Sequence, residues 1–268
     1  MHNAALATLA REDVRFADWR YFRFEVHPDD LPRALEVLHR KKFHGVNLTV
    51  PHKIIAFDRV AAVDPAARPV GAVNTLRWTE GGWRGHNTDG YGLAAAVHET
   101  LGRDLAGADI ILLGAGGAAR GAAVECLQRG CASLWIANRT RANLDTLRVA
   151  LAPQAGVIPV HGFAPDTAPP GLPPGALVVN ATSAGLKPSD PLPSDLAALP
   201  RPAAVFDMIY NPPETGLLRA AATLGLPRAN GLAMLVHQGA KALEIWSGIP
   251  AARTAPDMAA AARAALGA

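Results

Sequence analysis

Four short apolar segments that follow residue 89 constrain the fold more than any other feature of the sequence. They alternate with helical stretches or with loops rich in proline and glycine, such as "APPGLPPG", and they read "DIILLG", "SLWIAN", "ALVVNA" and "AVFDMIY". Strands that alternate with helices in this way are typical of βαβ units in a parallel sheet that is covered on both faces. The sequence therefore predicts an α/β fold built on a doubly wound parallel sheet.

The segment before residue 89 has a different order of elements. It begins with a helical pattern, "MHNAALATLA", and continues with a strand-like run near residues 20–26 and an amphipathic helix, "DDLPRALEVLHRKKF". The stretch "GVNLTVPHK" predicts a strand that ends at Lys53, and "GAVNTLRWTEGGWRGHN" predicts a hairpin. The tail from Gly231 is helical, "LAMLVHQGAKALEIW" and "PDMAAAARAAL", with a proline-bearing break between the two helices.

These patterns predict two domains. The first comprises residues 1–88 together with the helical tail, residues 232–268, and the second comprises residues 89–231. A chain of 268 residues with a hydrophobic fraction of 50% can bury a large core.

Composition excludes several classes of protein. The net charge of +3 is spread without a run of like charges, which excludes the basic patch of a nucleic-acid-binding protein. No apolar stretch reaches the roughly 18 to 20 residues of a membrane span. Cys126 and Cys131 have neither metal-ligand spacing nor a disulfide framework. We therefore expect a soluble, cytoplasmic protein that binds no metal.

The first apolar strand runs into a glycine-rich loop. In "DIILLGAGGAARGAAVECL", Gly114, Gly116 and Ala119 stand in G-x-G-x-x-A register between a strand and a helix. Glycines permit the tight turn and the close approach of the backbone to a pyrophosphate, which the helix N-terminus faces. The register predicts a Rossmann-type dinucleotide site, although a glycine-rich turn without a ligand has the same pattern.

The end of the second strand favours NADP over NAD. An NAD-binding chain carries an acidic residue there for the ribose 2′-hydroxyl, but this chain has Asn138 followed by Arg139, Thr140 and Arg141. A guanidinium offers a planar fork of charge-assisted donors that suits a 2′-phosphate. The alternative interpretation is that these arginines are solvated residues of a loop.

Three polar residues lie at the ends of strand-like runs before the second domain. If the strands share one sheet, Lys53, Asn74 and Asp89 converge, and a lysine paired with a carboxylate can act as general acid/base beside a nicotinamide. Taken singly, Asp89 could be a helix N-cap, Asn74 a turn residue and Lys53 a solvated strand end.

As a set, the motifs resemble the shikimate dehydrogenase family. They occur in the family's order over nearly the whole chain: "GVNLTVPHK", "GAVNT", "NTDG", "GAGGAAR", "NRT", "NATSAG", "DMIY" and "GLAMLVHQ". The resemblance implies an NADPH-dependent reduction of 3-dehydroshikimate to shikimate in aromatic amino-acid biosynthesis. It also implies two α/β domains with the site in the cleft between them, and a helical tail that returns to the substrate domain.

By matched motif, the resemblance implies a role for individual residues. Lys53 would be the catalytic acid/base, with Asp89 as its partner. The substrate hydroxyls would contact Thr49, Asn74, Tyr210 and Gln238. The dinucleotide would contact Gly114, Ala115, Gly116, Gly117, Ala118, Asn138, Arg139, Thr140, Met208 and Gly231.

The sequence departs from the family in two places. The family commonly carries a further arginine shortly after "NRT", where this chain has Asn143, and Arg141 is the candidate substitute. Members also usually begin about twenty residues earlier, with a strand and a Ser-x-Ser element that binds the substrate carboxylate. Met1 matches an internal methionine of the family, so we expect upstream codons for such a strand.

Two other functions stay open at this stage. One is a quinate/shikimate dehydrogenase with relaxed cofactor use, and the other is a catalytically silent nucleotide-binding relative. The expected partners are a small-molecule substrate and NADP, without nucleic acid or membrane, in a monomer or homodimer.

Overall fold

The computed structural model describes residues 1–267, and the chain divides into two compact units. The first comprises residues 1–92 and 236–268, and the second comprises residues 93–235. Each boundary lies four residues after the predicted one and falls inside a helix, because the helices that begin at Asp89 and Leu232 each contribute residues to both units.

The first unit contains a four-stranded sheet with helices around it. Its elements up to residue 92 are α1 His2–Glu12, α2 Leu31–Arg40, β1 Gly45–Asn47, α3 His52–Phe57, β2 Ala62–Val63, β3 Thr75–Thr79, β4 Gly82–His86 and the start of α4 Asp89–Leu101. The strand order is β1-β3-β4-β2, with β3 antiparallel to both β1 and β4. The predicted hairpin is therefore confirmed as β3 and β4.

The apolar face of α2 packs into the core of this unit. Two of its leucines, Leu31 and Leu35, are buried with Val73, Leu76 and Trp83, and the third, Leu38, is partly buried against them. The Trp83 indole also donates to the Leu35 carbonyl oxygen at 2.9 Å, which fixes α2 against β4. The amphipathic spacing read from the sequence thus corresponds to one buried helix face.

Two predictions for this unit are wrong. Residues 20–26 form no strand: within residues 1–267 their backbone bonds are to side chains, such as the Asn3 oxygen that accepts from the Tyr21 N–H at 2.8 Å. An alternating apolar pattern becomes a strand only where a neighbouring strand supplies the ladder. Lys53 does not end a strand either, because β1 stops at Asn47 and Lys53 lies in the first turn of α3.

The second unit contains the predicted parallel sheet. Its elements are β5 Asp109–Leu113, α5 Gly117–Gln128, β6 Ser133–Ala137, α6 Arg141–Ala155, β7 Val160–Phe163, β8 Leu177–Asn180, β9 Ala204–Asp207, α7 Gly216–Thr223 and β10 Arg228–Ala229. Six parallel strands follow the order β10-β9-β8-β5-β6-β7. The order reverses between β5 and β8, which is the switch point where open α/β sheets bind ligands. The predicted fold class is confirmed.

The sequence reading omitted three short strands, β2, β7 and β10. Two of them have only two residues and lie at sheet edges, and β7, "VHGF", is an edge strand with partly exposed residues. Such strands bury too little apolar surface to leave a clear periodic pattern in the sequence.

The tail forms α8 Leu232–Ser247 and α9 Ala251–Leu266. The break between them contains Pro250, but α9 begins five residues before the predicted start at Pro256, because Pro256 lies within the helix. Helix α9 packs against α1 in the first unit, where Arg253 pairs with Glu12. None of the helices among residues 1–267 combines the length and apolarity needed to cross a membrane.

Candidate active site

Lys53 and Asp89 form an ion pair in the first unit. The Lys53 Nζ donates to the Asp89 Oδ2 at 2.7 Å, and the two side chains are 25% and 27% exposed. Lys53 comes from the first turn of α3 and Asp89 is the first residue of α4. A partly exposed ammonium held by a carboxylate can give a proton to a bound molecule and take it back.

Asn74 orients the carboxylate of this pair. Its Nδ2 donates to the Asp89 Oδ1 at 2.8 Å and to the Thr88 Oγ1 at 3.0 Å. Its Oδ1 accepts from the Thr88 backbone N–H and from the Thr75 Oγ1, each at 2.9 Å. Asn74 is only 2% exposed. Both of its amide hydrogens are therefore already used, so contact with a substrate hydroxyl would require one of them to change partner.

The sheet topology explains why these residues meet. Because β3 is antiparallel to β1 and β4, its first residue, Thr75, lies opposite the last residues of both strands, Asn47 and His86. The segments that carry Lys53 and Asp89 follow these two strand ends. Lys53, Asn74 and Asp89 thus converge as the sequence predicts. They do so where β3 begins and where β1 and β4 end.

The other substrate residues predicted in this unit lie near the same edge. The Gln238 side chain on α8 is 3.5 Å from the Thr88 hydroxyl, which donates to it. Thr49 is exposed in the loop after β1, and its carbonyl oxygen accepts from the His52 N–H at 2.8 Å. The structure thus places Gln238 beside the cluster around Asn74, whereas the Thr49 side chain is exposed to solvent.

The glycine-rich loop of the second unit lies at the carboxyl end of β5. Gly114 has a φ of +108°, and a Cβ there would lie 3.0 Å from the Thr182 side chain, so the fold itself requires this glycine. Gly116 is different: its φ is −86°, and a Cβ added to it would meet nothing within 4 Å. A Cβ on Gly117 would also meet open space. No neighbouring atom of the protein would therefore clash with a side chain at Gly116 or Gly117. A ligand that lies close to the backbone would explain why both positions are glycine.

Helix α5 begins at this loop, with Gly116 as its N-cap and Gly117 and Ala118 in its first turn. The first N–H groups of a helix have no partner within the helix, and the helix dipole favours an anion there. The Gly114 N–H already donates to the Ala137 carbonyl oxygen at 2.8 Å, so the donors that suit a phosphate group are those from Ala115 to the first turn of α5.

The two candidate arginines in the segment after β6, Arg139 and Arg141, differ in whether their guanidinium groups have a partner. The Asn138 side chain donates to the Thr140 carbonyl oxygen at 2.9 Å and so fixes the turn between them. Arg139 is exposed, and no acidic side chain of residues 1–267 pairs with it. Arg141, by contrast, donates through Nε to both oxygens of Asp145, at 2.9 and 3.1 Å. One guanidinium is free and the other is engaged.

The predicted residues at the ends of β9 and β10 also lie together. The Gly231 N–H donates to the Ile209 carbonyl oxygen at 3.0 Å, and a Cβ on Gly231 would lie 2.1 Å from the Met208 carbonyl oxygen. This contact between two backbones excludes any side chain at Gly231. Tyr210 is exposed next to Met208.

The sequence reading missed a buried polar cluster at this edge of the parallel sheet. Asp207 accepts from the Asn180 Nδ2 at 2.9 Å and from the Thr215 hydroxyl at 2.6 Å, and burial raises the pKa of its carboxyl group. The Asn180 Oδ1 in turn accepts from the Thr182 N–H at 3.0 Å. The cluster fixes the turns after β8 and β9. Its only signal in the sequence is that Asn180 and Thr182 belong to the motif "NATSAG" and Asp207 to "DMIY", whereas Thr215 lies in neither motif.

Comparison with known proteins identifies the family. Residues 1–76 match the family model described as "Shikimate dehydrogenase substrate binding domain", and residues 231–263 match "Shikimate 5'-dehydrogenase C-terminal domain". A shikimate dehydrogenase (NADP(+)) of Methylobacterium radiotolerans is 42% identical over 89% of this chain and 84% of its own length. The corresponding protein of Symbiobacterium thermophilum is 41% identical over 92% of this chain and 83% of its own.

The chain belongs to the shikimate dehydrogenase family. This result confirms the family predicted from the motifs.

Solved structures of shikimate dehydrogenases share the fold. The enzyme of Thermus thermophilus, in complex with NADP(H) and shikimate, is 34% identical, with a TM-score of 0.81 over 98% of this chain and 94% of its own. A 5-ketofructose reductase of Gluconobacter has a comparable TM-score, 0.80, at 32% identity over 95% of this chain and 91% of its own. Because proteins with different substrates share this fold, the substrate has to be argued from the site.

Proposed function

We propose that the chain catalyses the reversible, NADPH-dependent reduction of 3-dehydroshikimate to shikimate. The observation that carries the proposal is the Lys53–Asp89 ion pair at 2.7 Å in a chain whose relatives are named shikimate dehydrogenase (NADP(+)). A silent relative has no need to keep this pair together with the Asn74 amide that orients it.

Lys53 is the proposed proton donor. When bound, NADPH supplies the hydride that the carbonyl carbon accepts. The carbonyl oxygen then gains negative charge, and the Lys53 ammonium donates one proton to it. In the reverse direction the neutral amine takes the proton from the substrate hydroxyl. Asp89 holds the amine in place and stabilises its charged form through the ion pair.

Four residues are the proposed substrate contacts. Thr49 and Gln238, near the Lys53–Asp89 pair, would hold substrate hydroxyls, as would Asn74 after one amide hydrogen changes partner. Tyr210, exposed after β9, is the fourth proposed contact.

The proposed cofactor is NADP, held by the glycine loop, by Asn138 to Thr140, and by Met208 and Gly231. Two features support this proposal. The open space above Gly116 and Gly117 suits a pyrophosphate that lies against the backbone. The exposed, unpaired Arg139 suits a 2′-phosphate.

One observation favours relaxed cofactor use as a second candidate function. Because Asp145 engages Arg141, only Arg139 is free to contact a 2′-phosphate. A single guanidinium discriminates less strongly between NADP and NAD than two would. A quinate/shikimate dehydrogenase that accepts both cofactors is therefore the alternative.

A turnover assay tests the proposal. Purified protein is mixed with NADP⁺ or NAD⁺ and with shikimate or quinate, and the reduced cofactor is followed by absorbance. We expect the highest kcat/KM with shikimate and NADP⁺. In the reducing direction, the protein is mixed with NADPH and with 3-dehydroshikimate or 5-ketofructose, and faster reduction of 5-ketofructose would reject the proposal. Equal rates with NAD⁺ and NADP⁺ in the first assay would favour the second candidate. The cytoplasmic location and the monomeric or dimeric state stay predictions.

A further inference from the structure

A chain of hydrogen bonds leads from the catalytic pair to a residue outside the site. The Tyr21 hydroxyl donates to the Asn47 Oδ1 at 3.1 Å, and the Asn47 Nδ2 donates to the Thr75 Oγ1 at 3.0 Å. Thr75 donates to the Asn74 Oδ1 at 2.9 Å, and Asn74 donates to Asp89. All of these residues lie in the first unit.

Two backbone groups determine which side chain donates and which accepts at each step of this series of hydrogen bonds. The Asn74 carbonyl oxygen can only accept, so the group of Asn47 that faces it at 3.2 Å is the Nδ2 amide, and the Asn47 oxygen is left for Tyr21. The Thr88 N–H can only donate, so the group of Asn74 that faces it at 2.9 Å is the oxygen. The Asn74 Nδ2 must therefore point at Asp89, and the Thr75 hydroxyl must accept from Asn47 and donate to Asn74.

Thr75 acts at a distance from the reaction. It is fully buried, with 0% of its surface exposed, so it cannot contact a bound substrate. Tyr21, at the far end, is fixed in place because its ring stacks on the His2 ring at a centroid distance of 4.1 Å and its N–H donates to Asn3. These directed hydrogen bonds, buried at Thr75 and partly buried elsewhere, thus connect Tyr21, which contacts α1, to the Lys53–Asp89 pair.

We propose that Thr75 is a positioning residue for the Lys53–Asp89 pair, and that Asn47 and Tyr21 extend the same hydrogen-bond chain. The kinetic part of this inference rests on the proposed function. Without the Thr75 hydroxyl, the Asn74 amide loses one of the donors that hold its oxygen away from Asp89, and the Asp89 carboxylate loses its fixed orientation. Small displacements of catalytic groups are costly because reaction requires a narrow range of geometries.

The test compares substitutions at two buried threonines of the same unit, Thr75 and Thr254. Thr75→Val keeps the shape of the side chain and removes its hydroxyl, and Thr75→Ser keeps the hydroxyl. Thr254→Val is the matched control, because Thr254 is 1% exposed and its hydroxyl donates only to the Ala251 carbonyl oxygen in α9. We expect Thr75→Val to lower kcat for shikimate roughly tenfold with little change in KM or in NADP⁺ affinity. Thr75→Ser should restore most of the rate, and Thr254→Val should keep it.

A second measurement does not depend on turnover. The side-chain amide protons of Asn74 give ¹⁵N–¹H signals that Asn74→Ala identifies by their loss. In the wild type and in Thr254→Val these protons should exchange slowly with solvent, because both are bonded and buried. In Thr75→Val they should exchange several times faster, and Tyr21→Phe should give a smaller change in the same direction.

The outcomes separate this inference from the proposed function. If the wild type turns over shikimate and Thr75→Val matches Thr254→Val in both kcat and amide exchange, the positioning role is wrong and the proposed function stands. If the wild type does not turn over shikimate, the proposed function fails, and amide exchange alone decides the positioning role. If Thr75→Val does not fold, Tyr21→Phe decides: unchanged kcat and exchange in that variant would overturn the inference.

Discussion

The cluster around the Lys53–Asp89 pair in the first unit bonds mainly to itself, whereas several polar groups remain open in the loops of the second unit that are proposed to bind the dinucleotide. Asn74 has acceptors for both amide hydrogens, and Asp89 accepts from Asn74 and from Lys53. In the second unit, Arg139 is exposed and has no ionic partner among residues 1–267, and a Cβ added to Gly116 would meet no atom within 4 Å.

The difference agrees with the role proposed for each region. Acid/base catalysis requires groups that are already in position before the substrate arrives, and buried hydrogen bonds hold them there. A cofactor that binds and leaves needs donors whose partner is the ligand itself, because a donor that must first give up a protein partner contributes less to binding. Three proposed contacts of the second unit depart from this pattern: Arg141 pairs with Asp145, the Asn138 side chain donates to the Thr140 carbonyl oxygen, and the Gly231 N–H donates to the Ile209 carbonyl oxygen.

The largest effect is expected from breaking the Lys53–Asp89 pair. Lys53→Ala removes the proposed proton donor and should lower kcat by roughly 10² to 10⁴, the usual range for a positioned acid/base, while NADP⁺ affinity stays nearly unchanged. Steady-state kinetics and cofactor titration measure both quantities. Lys41→Ala, at an exposed lysine of the same unit, is the control. Wild-type turnover in Lys53→Ala would remove Lys53 from the mechanism.

Acid should weaken the first unit through His2, which stacks on Tyr21. Burial lowers the pKa of His2 from 6.5 to about 4, so the unfolded state binds this proton more readily than the folded state. Above pH 6.5 the free energy of unfolding is unaffected by this group. As the pH falls from 6.5 toward 4 the free energy of unfolding decreases, and at pH 4 the loss is about 3 kcal/mol.

Denaturant unfolding between pH 7 and pH 4 measures this loss. His2→Gln keeps a polar side chain without a titrating ring and should show a smaller fall in stability over that range. An identical pH dependence in His2→Gln and the wild type would mean that other groups control the acid response.

The open loop of the second unit should respond to a single exposed arginine. Arg139→Ala should weaken NADP⁺ binding by about 1.5 to 3 kcal/mol, as for hydrogen bonds to a charged group, and should change NAD⁺ binding little. Titration of both cofactors by calorimetry measures the difference. Equal losses for the two cofactors would show that Arg139 supports the fold instead.

The smallest effect is expected at the engaged arginine. Arg141→Ala should weaken NADP⁺ binding by less than about 0.5 kcal/mol, because its guanidinium already pairs with Asp145 in an exposed i,i+4 ion pair. Asp145→Asn, which frees Arg141, should leave binding unchanged or strengthen it slightly. A loss in Arg141→Ala as large as that in Arg139→Ala would show that the cofactor takes Arg141 away from Asp145.

The sequence by itself determined the family, the fold class and the set of residues that form the proposed site. The four apolar strands of the second unit and the glycine loop are local patterns, and local patterns survive in a linear sequence. The motifs that carry Lys53, Asn74 and Asp89 also identify residues that do meet in the structure.

Only the tertiary structure decided how those residues are bonded. Residues 20–26 have a strand pattern but form no strand, because a strand depends on a partner elsewhere in the chain. Likewise, the sequence does not show that the amide of Asn74 is committed to Asp89, that Arg141 is paired with Asp145, or that Thr75 is buried. The partner of a hydrogen-bonding group is set by distance in space, and residues such as Tyr21 and Asn47 come within 3.1 Å only after the fold has brought distant segments together.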